Sequence, residues 1–154
     1  MLPCEADASS TWIRPVREQT ETRSFGMSGS EVVAIDGWLE EVCSRWGASE
    51  RAMFSARLCV AELAANAIEH GVASTDADHM VVTVRRRSNG IELEFLDSRA
   101  PFDPTGHART AAAQSVKSEA PGGYGLTLLH AFATGLTYSY DGTYNRVRLT
   151  VGSN

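Results

Sequence analysis

No run of about 18 apolar residues, the length a membrane-spanning helix needs, occurs anywhere in the chain. The amino terminus carries Glu5 and Asp7 where a secretory leader would carry basic residues and then an apolar stretch, so neither export nor membrane insertion is expected. Cysteine is scarce. Cys4, Cys43 and Cys59 are odd in number, widely spaced and without a Cys-x-x-Cys pair, which fits neither a disulfide framework nor a zinc site, and a reducing cytoplasm is the expected location. Positive charge is also short: 14 Lys and Arg face 19 Asp and Glu, a net charge of −5. Sequence-independent grip on a phosphate backbone needs clustered basic residues, so direct contact with nucleic acid is not expected. The single basic cluster, Arg85-Arg86-Arg87, reads as strand, where successive side chains point to opposite faces, and so as a solvated edge rather than one patch. Internal repeats and low-complexity tracts are lacking too.

What is present is an ordinary globular composition, 43% hydrophobic and 21% charged over 154 residues, enough for one domain with a real core. Pro3, Ser9, Ser10 and Pro15 mark residues 1–19 as a flexible tail, leaving 20–154 as the domain. Glu21 to Phe25 reads as an edge strand. Ser28 or Ser30 then caps a helix whose buried stripe is Val32, Ile35, Leu39, Val42 and Trp46, with Gly47 as its stop. Ser49 caps a second helix over about 50–70, with Phe54, Leu58, Ala61, Ala65 and Ile68 as the expected stripe and Gly71 at its end. Met80 to Arg87 and Ile91 to Asp97 form a hairpin about Ser88-Asn89-Gly90. Residues 98–121 are rich in Pro, Gly, Ala, Ser and Thr, and a loop of that length inside a compact domain reads as a lid or binding loop. Gly122-Gly123-Tyr124-Gly125 leads into a helix over Leu126 to Ala133. Two strands, near Leu136 to Tyr140 and Asn145 to Val151, close the chain about Asp141-Gly142. This order predicts an α+β two-layer sandwich, a mixed, mostly antiparallel sheet with helices covering one face and the other face open.

Three groups of residues are suited to chemistry. Glu62, Asn66 and Glu69, spaced i, i+4, i+7, share one helical face. A carboxylate there can take the proton of an attacking hydroxyl, and an amide oxygen is a hard ligand for Mg²⁺. An amphipathic helix also carries such a face for solubility alone. Asp97 ends a strand before the long loop, where its carboxylate can accept a hydrogen bond from an exocyclic amine such as that of adenine or simply form a turn. The glycine-rich entry at Gly122 to Gly125 offers free backbone N–H groups to phosphate, or is only a supple loop end.

Order and spacing join the three. Glu62-Leu63-Ala64-Ala65-Asn66-Ala67-Ile68-Glu69-His70-Gly71 resembles the N-box of the GHKL ATPases, in the form carried by RsbW-type anti-sigma-factor serine/threonine kinases. Asp97-Ser98-Arg99-Ala100-Pro101-Phe102-Asp103-Pro104 is similar to their aspartate box, and Gly122-Gly123-Tyr124-Gly125-Leu126 to their second glycine box. The resemblance spans about residues 20–151 and implies a Bergerat-type sandwich that binds ATP with Mg²⁺. It implies transfer of the γ-phosphoryl to Ser or Thr of a STAS-domain anti-anti-sigma protein, sequestration of a sigma factor, and a homodimer. Carried over by position, Glu62 is the catalytic base, Asn66 the Mg²⁺ ligand and Asp97 the reader of the adenine amine. Gly122, Gly123, Gly125 and Leu126 belong to the phosphate cradle, with Lys117 and His70 as further candidates for assistance.

One position departs from the family. Arg99 stands where glycine is common, and glycine there permits close approach to the nucleotide. Arg99 is therefore expected to swing into solvent, to clash with adenine or to contact a phosphate, which puts ATP affinity at stake. The alternative function is a catalytically weak or inactive module of the same fold that regulates a partner by sequestration. A histidine-kinase reading lacks a preceding helix pair with a phospho-accepting His, and gyrase-like or Hsp90-like machines need large added domains.

Overall fold

The computed structural model describes residues 17–73, 75, 77–105 and 124–152. Strand β1 (Gln19–Gly26) leads to helix α1 (Gly29–Arg45), whose N-cap position is Ser28. The Ser28 hydroxyl makes no capping bond and pairs instead with Ser30 Oγ at 2.9 Å. The helix ends in a Schellman arrangement: Gly47, at φ 65°, donates its N–H to Ser44 O, and Ala48 donates to Cys43 O. Ser49 then opens helix α2 (Glu50–His70), its Oγ accepting from Ala52 N at 3.1 Å. Strands β2 (His79–Arg87) and β3 (Gly90–Asp97) form the expected hairpin, with Arg87 paired to Gly90 across the two-residue loop Ser88-Asn89. Helix α3 (Tyr124–Phe132), β4 (Thr134–Tyr140) and β5 (Asn145–Val151) complete the chain. The Asp141 carboxylate accepts from the N–H groups of Thr143 and Tyr144 and sets the last turn.

The sheet order is β1-β2-β3-β5-β4 and every pairing is antiparallel. The α+β sandwich expected from the sequence is thus the architecture found. Inward-facing Val82, Val84, Leu93, Phe95, Val147 and Leu149 share one core with Ile35, Leu39 and Val42 of α1 and with Ala56, Val60 and Leu63 of α2. The α1 stripe is as expected, Val32 being the least buried of its five residues.

Helix α2 corrects the sequence reading. Its buried residues are Ala52, Ser55, Ala56, Cys59, Val60, Leu63, Ala64 and Ala67, about half a turn from the stripe drawn through Phe54 and Leu58. Phe54 is 57% exposed and meets Phe132 of α3 edge-on, centroids 5.9 Å apart. The helix lies between α1 and α3 as well as over the sheet. It is apolar around most of its circumference, and periodicity does not reveal which apolar side faces the sheet.

The outer sheet face is polar. Arg85 and Arg87 bridge Glu92 at 2.9 and 3.1 Å, and Glu94 is held among Arg85, Arg146 and Arg148. The Arg85–Arg87 run therefore lies on an interior strand, not at the edge that alternation had suggested.

Gly152 has φ 78°, and a Cβ there would sit 2.7 Å from the Cα of Ala52 and closer still to its Cβ. Gly152→Ala combines left-handed strain with overpacking and is expected to cost about 2–3 kcal/mol of unfolding free energy. A lower urea midpoint at unchanged denaturant slope is the signature to measure.

Candidate active site

The last pair of the β3–β5 ladder joins Asp97 to Asn145, so the sheet itself places a carboxylate against an amide at one end of the domain. Asn145 is 2% exposed and its side chain is a hub. Nδ2 lies 3.0 Å from each of Asp97 Oδ1, Arg99 O and Ala100 O, sharing two hydrogens among three acceptors. Its Oδ1 accepts from Phe102 N at 3.0 Å and from the Tyr138 hydroxyl at 2.7 Å. Asp97 Oδ1 also accepts from Arg99 N at 3.0 Å, so among the described residues both hydrogen bonds to this carboxylate fall on one oxygen. Burial pushes the Asp97 carboxyl above its ordinary value, opposed by the bonds from Asn145 and Arg99 N and by the Arg99 charge. Sequence reasoning missed Asn145. The available signal was its parity with Val147, Leu149 and Val151, which puts a polar residue on the core side of the strand.

Across from Asp97, α2 presents Asn66. Its Nδ2 is buried without a hydrogen-bond partner among the described residues. Asn66 and Asp97 are the polar groups of a recess otherwise walled by Leu63, Ala67, Phe95, Phe102 and Val147 among its apolar residues. The enclosed space is about 20 Å³, room for about one water. Glu62 lies one turn before Asn66, partly exposed and outside the recess wall. Glu69 and His70 are exposed at the end of the helix, 3.8 Å apart, and the His70 ring lies over that of Phe102 with centroids at 6.5 Å. Gly125 and Leu126 fall in the first turn of α3. Gly122, Gly123 and Lys117 lie outside the described residues, as does most of the expected 98–121 lid.

Arg99 does not swing into solvent. Its Nη1 donates to Gly71 O at 2.6 Å, and its Nε is 3.5 Å from Asp78 Oδ2, an ion-pair separation without hydrogen-bond geometry. The side chain turns back onto the end of α2 and is absent from the recess wall.

The profile of the Histidine kinase-like ATPase domain matches residues 29–151, from the start of α1 to the end of β5. The chain belongs to this family. Family membership gives it a kinase-like, ATP-binding function. Among curated relatives, the serine/threonine-protein kinase BtrW of Bordetella bronchiseptica is 29% identical over 133 residues, covering 85% of this chain and 94% of the relative.

Other chemistries find little support here. The Cys43 and Cys59 thiols are pushed up to about 11 and about 12 by burial, so neither is a thiolate nucleophile at neutral pH. No cluster of three His, Cys, Asp or Glu that could hold a metal occurs among the described residues, and none of their helices is long and apolar enough to cross a membrane.

Proposed function

We propose that this protein is an ATP-dependent serine/threonine protein kinase and anti-sigma factor. It phosphorylates a STAS-domain anti-anti-sigma protein, sequesters a sigma factor and works as a homodimer in the cytoplasm. The observation that carries the reading is Asn66, whose Nδ2 is buried without a hydrogen-bond partner among the described residues and which lines an apolar recess with Asp97, one turn beyond Glu62. Leaving a buried donor unpaired costs about 1–3 kcal/mol, and a cost of that size at a pocket wall is expected where a ligand supplies the missing acceptor. The name of the Bordetella relative agrees in reaction class.

The residues fit the nucleotide and its ion. Asp97 Oδ2 accepts from the adenine amine, with the base between Leu63, Ala67, Phe95 and Val147. Mg²⁺, which keeps several waters and takes few protein ligands, would be held by the Asn66 amide oxygen and would neutralise phosphate charge. The backbone N–H groups from Gly122 to Gly125 cradle the phosphates in this reading. Glu62 takes the proton of the acceptor hydroxyl as its oxygen bonds to the γ-phosphorus, and the bond to ADP breaks.

Titration of the protein with Mg-ATP in a calorimeter tests the site. Asn66→Ala is expected to weaken binding about 10- to 100-fold, the worth of a hydrogen bond or ligand to a charged group. Transfer of labelled γ-phosphate to a STAS protein tests the reaction. Tight binding without transfer to any STAS protein encoded nearby would leave the sequestering module as the better description.

A further inference from the structure

Arg99 ties together several parts of the site from outside the recess. Its backbone N–H goes to Asp97 Oδ1 and its carbonyl to Asn145 Nδ2, each at 3.0 Å. Its guanidinium reaches Gly71 O at 2.6 Å and the Asp78 carboxylate at 3.5 Å. The Asp78 side chain is itself held, its Oδ1 3.2 Å from the hydroxyl of Ser98, the residue between Asp97 and Arg99. The Arg99 side chain is 15% exposed and that of Asp78 5%, so the ion pair is largely shielded from water. A shielded pair is costly to desolvate and seldom adds net stability over an apolar substitute, so its use here asks for a reason in geometry.

Gly71 shows how close the contact is. A Cβ at that position would lie 2.9 Å from Arg99 Cδ and closer still to Ala67 O. Gly71 follows the last residue of α2, five residues after Asn66. The guanidinium thus joins the carboxyl end of the helix that carries Asn66 to the strand end that carries Asp97.

We propose that Arg99 is a positioning residue for the nucleotide: through Gly71 and Asp78 it holds α2 and the end of β3 at the separation that lets Asn66 and Asp97 face one ligand. The inference rests on the nucleotide-binding reading above. Arg99 acts on the base end of the site, without contact to phosphate, so its effect is shared by every ligand that contains adenine.

The test measures ATP, ADP and adenosine, each by competition against a fluorescent ATP analogue, on the full chain and on Arg99→Lys, Arg99→Met, Arg99→Gly and Asp78→Asn. Arg99→Met and Arg99→Gly are expected to weaken all three ligands by the same factor, about tenfold, because small misplacements of paired groups are expensive. Arg99→Lys keeps the charge and one donor and is expected to recover most of the loss, to within about threefold of the parent. Asp78→Asn weakens binding in the same direction, and adding Arg99→Met to it brings no further loss, as for two residues of one linkage. In phosphoryl transfer the variants raise KM for ATP and leave kcat unchanged, which a general loss of folded protein would not do.

Tighter binding by Arg99→Gly would show an obstructing side chain and overturn the proposal. A loss confined to ATP and ADP with adenosine spared would show a phosphate contact and overturn it equally. Unchanged affinity in all variants would make Arg99 a bystander. Failure of the parent to bind any adenine ligand is a separate result, which removes the nucleotide reading and this inference with it.

Discussion

Glu62→Gln is expected to lower the turnover of phosphoryl transfer by about 10²–10⁴-fold, the usual worth of a positioned general base, with ATP affinity within about threefold of the parent. The amide has the shape of the carboxylate and cannot take up the proton of the acceptor hydroxyl. Glu62 stands one turn before Asn66 on α2, partly exposed and off the recess wall, a place from which it reaches an incoming hydroxyl rather than the adenine. No hydrogen bond or ion pair of Glu62 is found among the described residues, so the fold does not depend on its charge. Single-turnover transfer measured beside calorimetric ATP affinity separates the two effects. A loss of turnover below about fivefold would assign the proton to another group, because base catalysis is rarely so small.

Asn145→Ala is the second large effect, this time on stability. The substitution leaves Asp97 Oδ1 with one bond, and strips Phe102 N, Tyr138 Oη and the carbonyls of Arg99 and Ala100 of a common partner. The bond to Asp97 is buried and the other four are partly so, and a loss of about 3 kcal/mol in unfolding free energy is expected. The loss is also pH-dependent. Burial already raises the Asp97 carboxyl above its ordinary value, and the bond from Asn145 works against that rise. Removing the bond raises the carboxyl further. A folded state that binds the proton more tightly than the unfolded chain becomes less stable as pH rises from the ordinary carboxylate value through the raised one. The deficit of the variant against the parent is therefore largest at neutral pH and shrinks as pH falls toward the ordinary carboxylate range. Urea unfolding at several pH values reads it. A deficit that is the same at every pH would mean that Asn145 holds the loop without bearing on the charge of Asp97.

Local chemistry was legible in the sequence wherever it depended on neighbours in the chain. Ser49 as a cap, Gly47 as a stop, the hairpin between β2 and β3 and the α1 stripe all follow from residues a few positions apart. Helix α2 was misjudged because three packing partners leave it with apolar residues on most sides, and only their placement decides which side is core. The candidate site was legible as a set of boxes and not as a network. Asn145 meets Asp97 at a separation of 48 residues, and Arg99 meets Gly71 at a separation of 28. No period or motif encodes such encounters. The destination of the Arg99 side chain depended on Asp78, a residue between α2 and β2 that no motif marks.

The pairing of Asp97 with Asn145 also bears on how this fold can change. The chain leaves the sheet at one member of that pair and returns at the other, having made α3 and β4 on the way. The entropy of closing such an excursion grows only with the logarithm of its length, about 0.6 kcal/mol for each doubling. A change of length between Pro104 and Gly122 therefore costs little closure entropy, provided the two feet stay zipped together. The cost of altering the chain concentrates instead at the two feet, where the Asp97–Asn145 pair closes the excursion.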